Sequence, residues 1–264
     1  MTPREQFIDL IEGLGVPFGR EDSFKLGPRS VIADRVLVGI QAVSLPAGKF
    51  LEIGSSLGMP KQCLPLLEQH FAEANAVFFG IEDRDRGSIY KIYLEFWEKV
   101  RSEVKRTGSR TPQLLHLGVK WDPDRPGLYA RASYTCHPLL SAREVTRRIK
   151  DIYAQVGPES ACDQALGIIR RGIKNNPAAA MIYLEVGESD NPRYSFDINL
   201  YKTGIKVADA ADELRRAGAH FEITSEAMEL ALQRLWQCQL GHISGGTDRH
   251  DREFLSVYGE IQPL

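Results

Sequence analysis

Cysteine is scarce in this 264-residue sequence, and its four cysteines, Cys63, Cys136, Cys162 and Cys238, are widely scattered. None forms a CxxC pair, so neither a zinc knuckle nor a disulfide scaffold is suggested, and reduced thiols in a cytoplasmic protein are expected. No apolar run is long enough to span a bilayer, and the opening MTPREQFIDLIEGLG is a short, charged amphipathic helix rather than a signal peptide. Charge of neither sign dominates: a net −2 gives no bulk attraction to nucleic acid or anionic membrane. The Arg143–Lys150 run is mixed with Glu144 and Asp151 and reads as the solvated face of a helix. Nucleotide motifs are lacking as well, because Gly54–Gly58 (GSSLG) has neither the Lys–Ser/Thr of a P-loop nor a dinucleotide spacing, and reads as a tight strand-to-helix turn. His242 and His250, with Asp248 and Asp251 nearby, lack four ligands at orderly spacing; they are expected to be exposed turn histidines, and no metal site is assigned. Cys136 and His137 are adjacent strand residues pointing to opposite faces, so they do not form a nucleophile and its base.

What the sequence does have is a recurring unit. Hydrophobic content of 43% and charged content of 26% suit a globular protein, and residues 1–264 are expected to form one domain. Residues 76–96 read as two β-runs joined by the polar turn Asp83–Gly87. Residues 113–136 repeat the plan around Asp122–Gly127, residues 179–201 around Gly187–Pro192, and residues 240–261 around Gly245–Arg252. An earlier pair, 33–44 and 49–55, is expected to turn at Pro46–Gly48. Between the hairpins, Pro60–Glu73, Trp97–Arg106, Ser141–Gln155, Glu159–Lys174, Val207–Ala217 and Ser225–Gln239 space their apolar residues at three and four, as helices do. Ser141 with Glu144 is a capping-box start.

The expected fold is therefore α+β: an antiparallel barrel of about ten strands built from repeated αββα units, with helices outside. Closure would remove exposed sheet edges. Alternation predicts which face is which. Ile92 and Leu94, Ile182 and Leu184, Phe196, Ile198 and Leu200, and Leu255 and Val257 suit the helix-covered face. Lys91, Tyr93 and Glu95, Met181, Tyr183 and Glu185, Ser195, Asp197, Asn199 and Tyr201, and Ser256, Tyr258 and Glu260 would then face inward. A face this rich in tyrosine, lysine and carboxylates is no dry core; it reads as a solvated lumen.

A lumen of that composition suits one chemistry well. Arg35, Lys91, Lys120 and Arg131 can grip a diphosphate, which needs several positive donors. Tyr93, Tyr129, Tyr183, Tyr201 and Tyr258 offer π faces that stabilise the carbocation formed when an allylic diphosphate ionises. Carbohydrate and nucleotide pockets also use Tyr, Lys and Asn.

The order of helices and hairpins resembles the αββα (ABBA) prenyltransferase barrel across nearly the whole chain. The stretches SFKLGPRSVIADRVLVGIQ (23–41), AVFFGIEDRDRGSIYKIYLEF (76–96) and ISGGTDRHDREFLSVY (243–258) look closest to the cyanobactin peptide prenyltransferases. The resemblance implies a dimethylallyl or longer isoprenoid diphosphate as donor, magnesium (Mg2+) as helper, and a side chain of a peptide natural product as acceptor. It implies that Arg35 and Lys91 hold diphosphate while Tyr93, Tyr183, Tyr201 and Tyr258 shield the prenyl group. The family's glutamate base, just before the first barrel strand, would fall at Gly27, which cannot take a proton; Glu82, Glu185 and Asp197 are the lumen carboxylates that would stand in. A changed base points to a changed acceptor, with arginine, tryptophan and tyrosine all open. A free small aromatic acceptor and a non-catalytic ligand-binding barrel are the alternatives.

Overall fold

The computed structural model describes residues 2–46, 48–84, 87–125 and 127–263. Ten antiparallel strands run in sequence: β1 (Gly19–Gly27), β2 (Ser30–Gln41), β3 (Ala76–Glu82), β4 (Ile89–Glu95), β5 (Gln113–Trp121), β6 (Tyr129–Cys136), β7 (Ile182–Glu188), β8 (Tyr194–Asn199), β9 (Gln239–Thr247) and β10 (Glu253–Gln262). Each pairs with the next, and β10 pairs with β1, so the sheet closes into a barrel. The helices are α1 (Pro3–Glu12), α2 (Lys49–Ser56), α3 (Leu64–Phe71), α4 (Trp97–Thr107), α5 (Ala142–Ala154), α6 (Cys162–Asn175), α7 (Ala211–His220) and α8 (Ser225–Leu235). All five hairpin turns lie at one end of the barrel, the mouth. The helical connections leave from the other, the floor.

Period-two patterning explains the closure. Val36, Val38 and Ile40 of β2, Val77, Phe79 and Ile81 of β3, and Ile92 and Leu94 of β4 point outward and are buried under α1, α2 and α3 with Phe7, Phe50 and Leu67. Phe24, Leu26, Phe196, Ile198, Ile243, Leu255 and Val257 are covered in the same way by α5 to α8. Each large apolar side chain so withdrawn from water stabilises the fold by about 1.5–3 kcal/mol. The alternate residues are left to the lumen, as expected of β4, β8 and β10. Ser141 caps α5 with Glu144 in the expected capping box.

Four expectations are corrected. The first hairpin is 19–27 with 30–41, and residues 49–56 form a helix rather than a strand. Phe50, Ile53 and Gly54 are the buried positions there, at helical spacing. Pro60–Glu73 and Val207–Ala217 each begin as a 3-10 turn, at 61–63 and 207–210, before the α-helix proper. The helices expected at 159–174 and 225–239 begin at Cys162 and end at Leu235.

The fourth correction concerns facing. On β7, Tyr183 and Glu185 point outward: Tyr183 is buried among the residues under α5 and α6, and Arg148 of α5 donates to Glu185 at 2.7 Å. Ile182 and Leu184 point inward, because α4 packs Trp97, Val100 and Val104 against them and Cys136 at the floor end. An apolar plug inside and a partnered carboxylate outside reverse the pattern that hydrophobicity alone suggests. On β6, Tyr129 and Arg131 stand opposite the outward Trp121 and Val119, and Arg131 is exposed on the outer wall. That strand gives the lumen Ala130, Ala132 and Tyr134.

Candidate active site

The lumen near the mouth is a small polar chamber open to solvent. Register assembles its walls: Arg35 stands opposite Glu82, Lys91 opposite Lys120, and Lys25 opposite Ser256. Arg193 arrives from the turn before β8, Arg84 from the turn of the second hairpin, and Arg249 and Arg252 from that of the last. Three carboxylates serve these eight cations. Glu82 accepts from Arg35 Nε at 3.2 Å, Lys91 Nζ at 3.1 Å and Arg84. Glu188 takes Lys120, Arg193 Nη1 at 3.1 Å and Arg249 Nη2 at 3.5 Å. Asp248 takes Lys25 Nζ at 3.4 Å and Arg252 Nη2 at 3.2 Å. The chamber is thus strongly cationic. Arg35 has a further feature: Nη2 donates to the Tyr258 hydroxyl at 3.1 Å, while Nη1 is buried with no partner among the described residues. A buried guanidinium N–H without an acceptor is costly unless a ligand supplies one.

Crowding and burial shift these groups. Burial pushes the Lys91 ammonium down to about 7 against the pull of Glu82, and Lys25 down to about 8 against Glu82 and Asp248. Lys120, also desolvated and next to Arg193, is held well below the ordinary lysine value. Although burial opposes it, Lys91, Arg35 and Arg84 keep Glu82 well below the usual carboxylate range. Glu82 is consequently a poor proton acceptor, contrary to its expected role as a base.

Below the cations lies an aromatic tier. The rings of Tyr93 and Tyr134 meet edge-on, with centroids 5.5 Å apart. Arg35 lies 5.2 Å from the centre of the Tyr258 ring, and Lys25 4.5 Å from that of Phe254. Gly118 makes room for Tyr93: a Cβ there would run into the ring and lie 2.6 Å from the Ile92 carbonyl oxygen.

At the floor, His242 bonds Asp197 Oδ1 through Nδ1 at 2.9 Å and stands 3.6 Å from Glu21 Oε1 through Nε2. Tyr201 donates its hydroxyl to Glu21, and its ring meets His242 edge-on at 5.5 Å. Despite burial, Glu21 and Asp197 raise His242 to about 9, so it is an imidazolium at neutral pH. His116, packed against Tyr134 and Phe78, is pushed by burial down to about 4 and stays neutral. Glu95, raised by burial, adds a third carboxylate.

Of the residues expected from sequence, Arg35, Lys91, Lys120 and Glu82 meet at the mouth, Tyr93 and Tyr258 beneath them, and Asp197 and Tyr201 at the floor. Arg131, Tyr129, Tyr183 and Glu185 lie outside the lumen. His242, expected in an exposed turn, is a lumen residue of β9. Sequence reading missed Lys25, Tyr134, Glu188, Arg193 and Glu21. Glu21 is a lumen glutamate of the first strand, and Gly27 closes that strand. Alternation outward from Phe24 and Leu26 is the signal that would have found Glu21 and Lys25.

The donor set does not fit a protein-held Mg2+. Glu82, Glu188 and Asp248 are each committed to two or three cations, and among the described residues no group of three or more His, Cys, Asp or Glu side chains could hold a metal ion. No helix of the described residues is long and apolar enough to cross a membrane.

No protein-family model matches the sequence, and no curated protein does. Solved structures do. Prenyltransferase PriB, in a ternary complex with L-tryptophan and dimethylallyl thiolodiphosphate, is 16% identical with a TM-score of 0.59, covering 94% of this chain and 82% of that one. The 5-dimethylallyltryptophan synthase from Streptomyces coelicolor is 14% identical with a TM-score of 0.59, covering 92% and 80%. AnaPT from Neosartorya fischeri is 11% identical with a TM-score of 0.56, covering 93% and 78%. At such identities the likeness is one of fold, and it does not single out the cyanobactin peptide enzymes. The chain folds as the closed ten-stranded αββα barrel of these prenyltransferases.

Proposed function

We propose that this chain is a prenyltransferase that moves a dimethylallyl or longer isoprenyl group from its diphosphate onto a side chain of a peptide natural product. The observation that carries the reading is the stacking, in one lumen, of a cationic tier directly above an aromatic one. The diphosphate would take the free Nη1 of Arg35 and the ammonium groups of Lys25, Lys91 and Lys120. These donors stabilise the leaving group as the allylic C–O bond breaks and its electron pair departs with the diphosphate. Tyr93, Tyr134 and Tyr258 face the allylic cation with their π systems and keep water from it. The mouth cations supply the diphosphate's countercharge from the protein itself. The solved complex of PriB with a dimethylallyl thiolodiphosphate supports a donor of this class on this fold.

The floor bears on the acceptor. Glu21, Asp197 and Glu95 outnumber the single imidazolium of His242, which suits a cationic, hydrogen-bond-donating nucleophile. Among arginine, tryptophan and tyrosine, an arginine guanidinium matches this best. Its nitrogen would form the new C–N bond while its proton passes to the carboxylate of Glu21. We place the enzyme in the cytoplasm, as one domain over residues 1–264, in keeping with its four free cysteines.

A second reading, transfer to free tryptophan, is favoured by the L-tryptophan in the PriB complex. Intact-mass spectrometry decides between them. Peptides presenting arginine, tryptophan or tyrosine, and free tryptophan, are incubated with dimethylallyl and geranyl diphosphate. Whole isoprene units are expected on the arginine peptide. A gain on free tryptophan alone removes the peptide reading, and no gain on any acceptor without donor binding leaves a ligand-binding barrel.

A further inference from the structure

Glu82 sits in the middle of the cationic tier, and it is neither a surface charge nor a base. It is 4% exposed, and both of its oxygens are used: Oε2 by Arg35 and Lys91, Oε1 by Arg84. Glu188 repeats the arrangement across the lumen, shared by Lys120, Arg193 and Arg249. The chamber therefore already contains an anion where its cations converge. Two consequences follow from charge alone. The carboxylate holds Arg35 and Lys91 in place before any ligand arrives, which lowers the cost of organising them. It also repels whatever anion binds the same groups, because like charges a few ångströms apart inside a protein oppose one another by about tenfold in affinity or more.

Resting on the reading of the chamber as a diphosphate site, we propose that Glu82 is a resident counter-anion. It positions Arg35 and Lys91 and competes with the diphosphate for them, so that spent diphosphate leaves. An enzyme whose cations gripped diphosphate unopposed would bind its product as tightly as its donor and turn over slowly. Glu82 keeps that grip partial. As a positioning residue it touches the cations and need not touch the transferred carbon.

The test is calorimetric titration of the full chain with inorganic pyrophosphate and with dimethylallyl thiolodiphosphate, comparing wild type with Glu82→Gln and Glu82→Asp. Glu82→Gln should bind both anions at least tenfold more tightly, and in turnover KM for the donor and kcat should fall together. Glu82→Asp, which keeps the charge, should stay within a few-fold of wild type. A purely structural salt bridge makes the opposite forecast, since Arg35 and Lys91 would lose their places and affinity would drop. Unchanged or weaker binding by Glu82→Gln overturns the proposal. Removing one partner of a buried pair costs stability, so thermal melting supplies a second readout. Pyrophosphate should raise the melting temperature of Glu82→Gln by more than that of wild type, and an equal or smaller rise counts against the proposal. If wild type binds neither anion, the diphosphate reading itself falls; if it binds and Glu82→Gln is no tighter, only the role of Glu82 does.

Discussion

Donor affinity should fall steeply with pH, because the chamber must take up protons to bind an anion. In the donor-free protein Lys91 lies at about 7 and Lys25 at about 8, both depressed chiefly by burial. A diphosphate between them favours their charged forms and raises both. Below about pH 6 the two lysines are already protonated and binding needs almost no uptake. As pH rises through 7 and then 8, the free protein sheds protons that the complex must recover. At pH 8 these two lysines alone should take up roughly 1.4 protons per ligand, about 0.9 at Lys91 and about 0.5 at Lys25, and Lys120, also held well below the ordinary lysine value, adds to that count. Integrated from pH 7 to pH 9, Lys91 and Lys25 alone should drop affinity by roughly 500-fold if both are fully charged in the complex. The ligand is dimethylallyl thiolodiphosphate, titrated calorimetrically at pH 7, 8 and 9. Buffers of different ionisation enthalpy report the proton count directly. Lys91→Gln should weaken binding at pH 7 and remove most of the uptake at pH 8. Affinity that stays level across this range, with heats independent of buffer, would refute the reasoning, for it would mean that these lysines keep their charge in the free protein.

Gly118→Ala places a methyl group in the Tyr93 ring and should cost about 1–3 kcal/mol, with a lowered melting temperature and more donor hydrolysis per transfer. Unchanged melting would mean that Tyr93 does not lie over β5. Arg131→Ala, on the exposed outer wall, should leave turnover within about twofold, whereas Lys120→Ala should lower it by tenfold or more. A large loss in the first variant would contradict the register of β6. His242 is raised above its unfolded value, so it contributes stability that is fully present below about pH 6.5 and lost as pH climbs through about 9. The gap in melting temperature between wild type and His242→Gln should close over that range, and a constant gap would remove the Glu21–His242–Asp197 linkage. Turnover should survive EDTA, because Glu82, Glu188 and Asp248 are all committed to the chamber's cations; abolition by EDTA, reversed by added magnesium, would show that the metal arrives with the diphosphate.

The parts of this protein that could be read from sequence are those where hydrophobic patterning and function agree. On β4, Ile92 and Leu94 must be covered by helices, so Lys91 and Tyr93 had to face the lumen, and both the strand and its site residues were visible at once. On β1 the two signals conflict. In GREDSFKLG three charged residues follow Gly19 in succession because Arg20 and Asp22 pair with each other at 2.8 Å on the outside while Glu21 serves the lumen. A strand wet on both faces carries no alternation over that stretch, and Glu21 and Lys25 disappeared with it. On β7 the conflict runs the other way: α4 closes the floor with apolar side chains, so Ile182 and Leu184 point inward and a partnered Glu185 points out. No window of one strand holds that information, since it depends on what the next element packs beneath the barrel. The same holds for the cations. Lys25, Lys120 and Arg193 line one chamber because the barrel closes β10 onto β1. Closure follows from covering the outer faces, but which charges meet across the lumen depends on register. A functional site on the polar face of a barrel is thus the part that hydrophobic patterning specifies least, and fixing its residues requires the pairing of the strands.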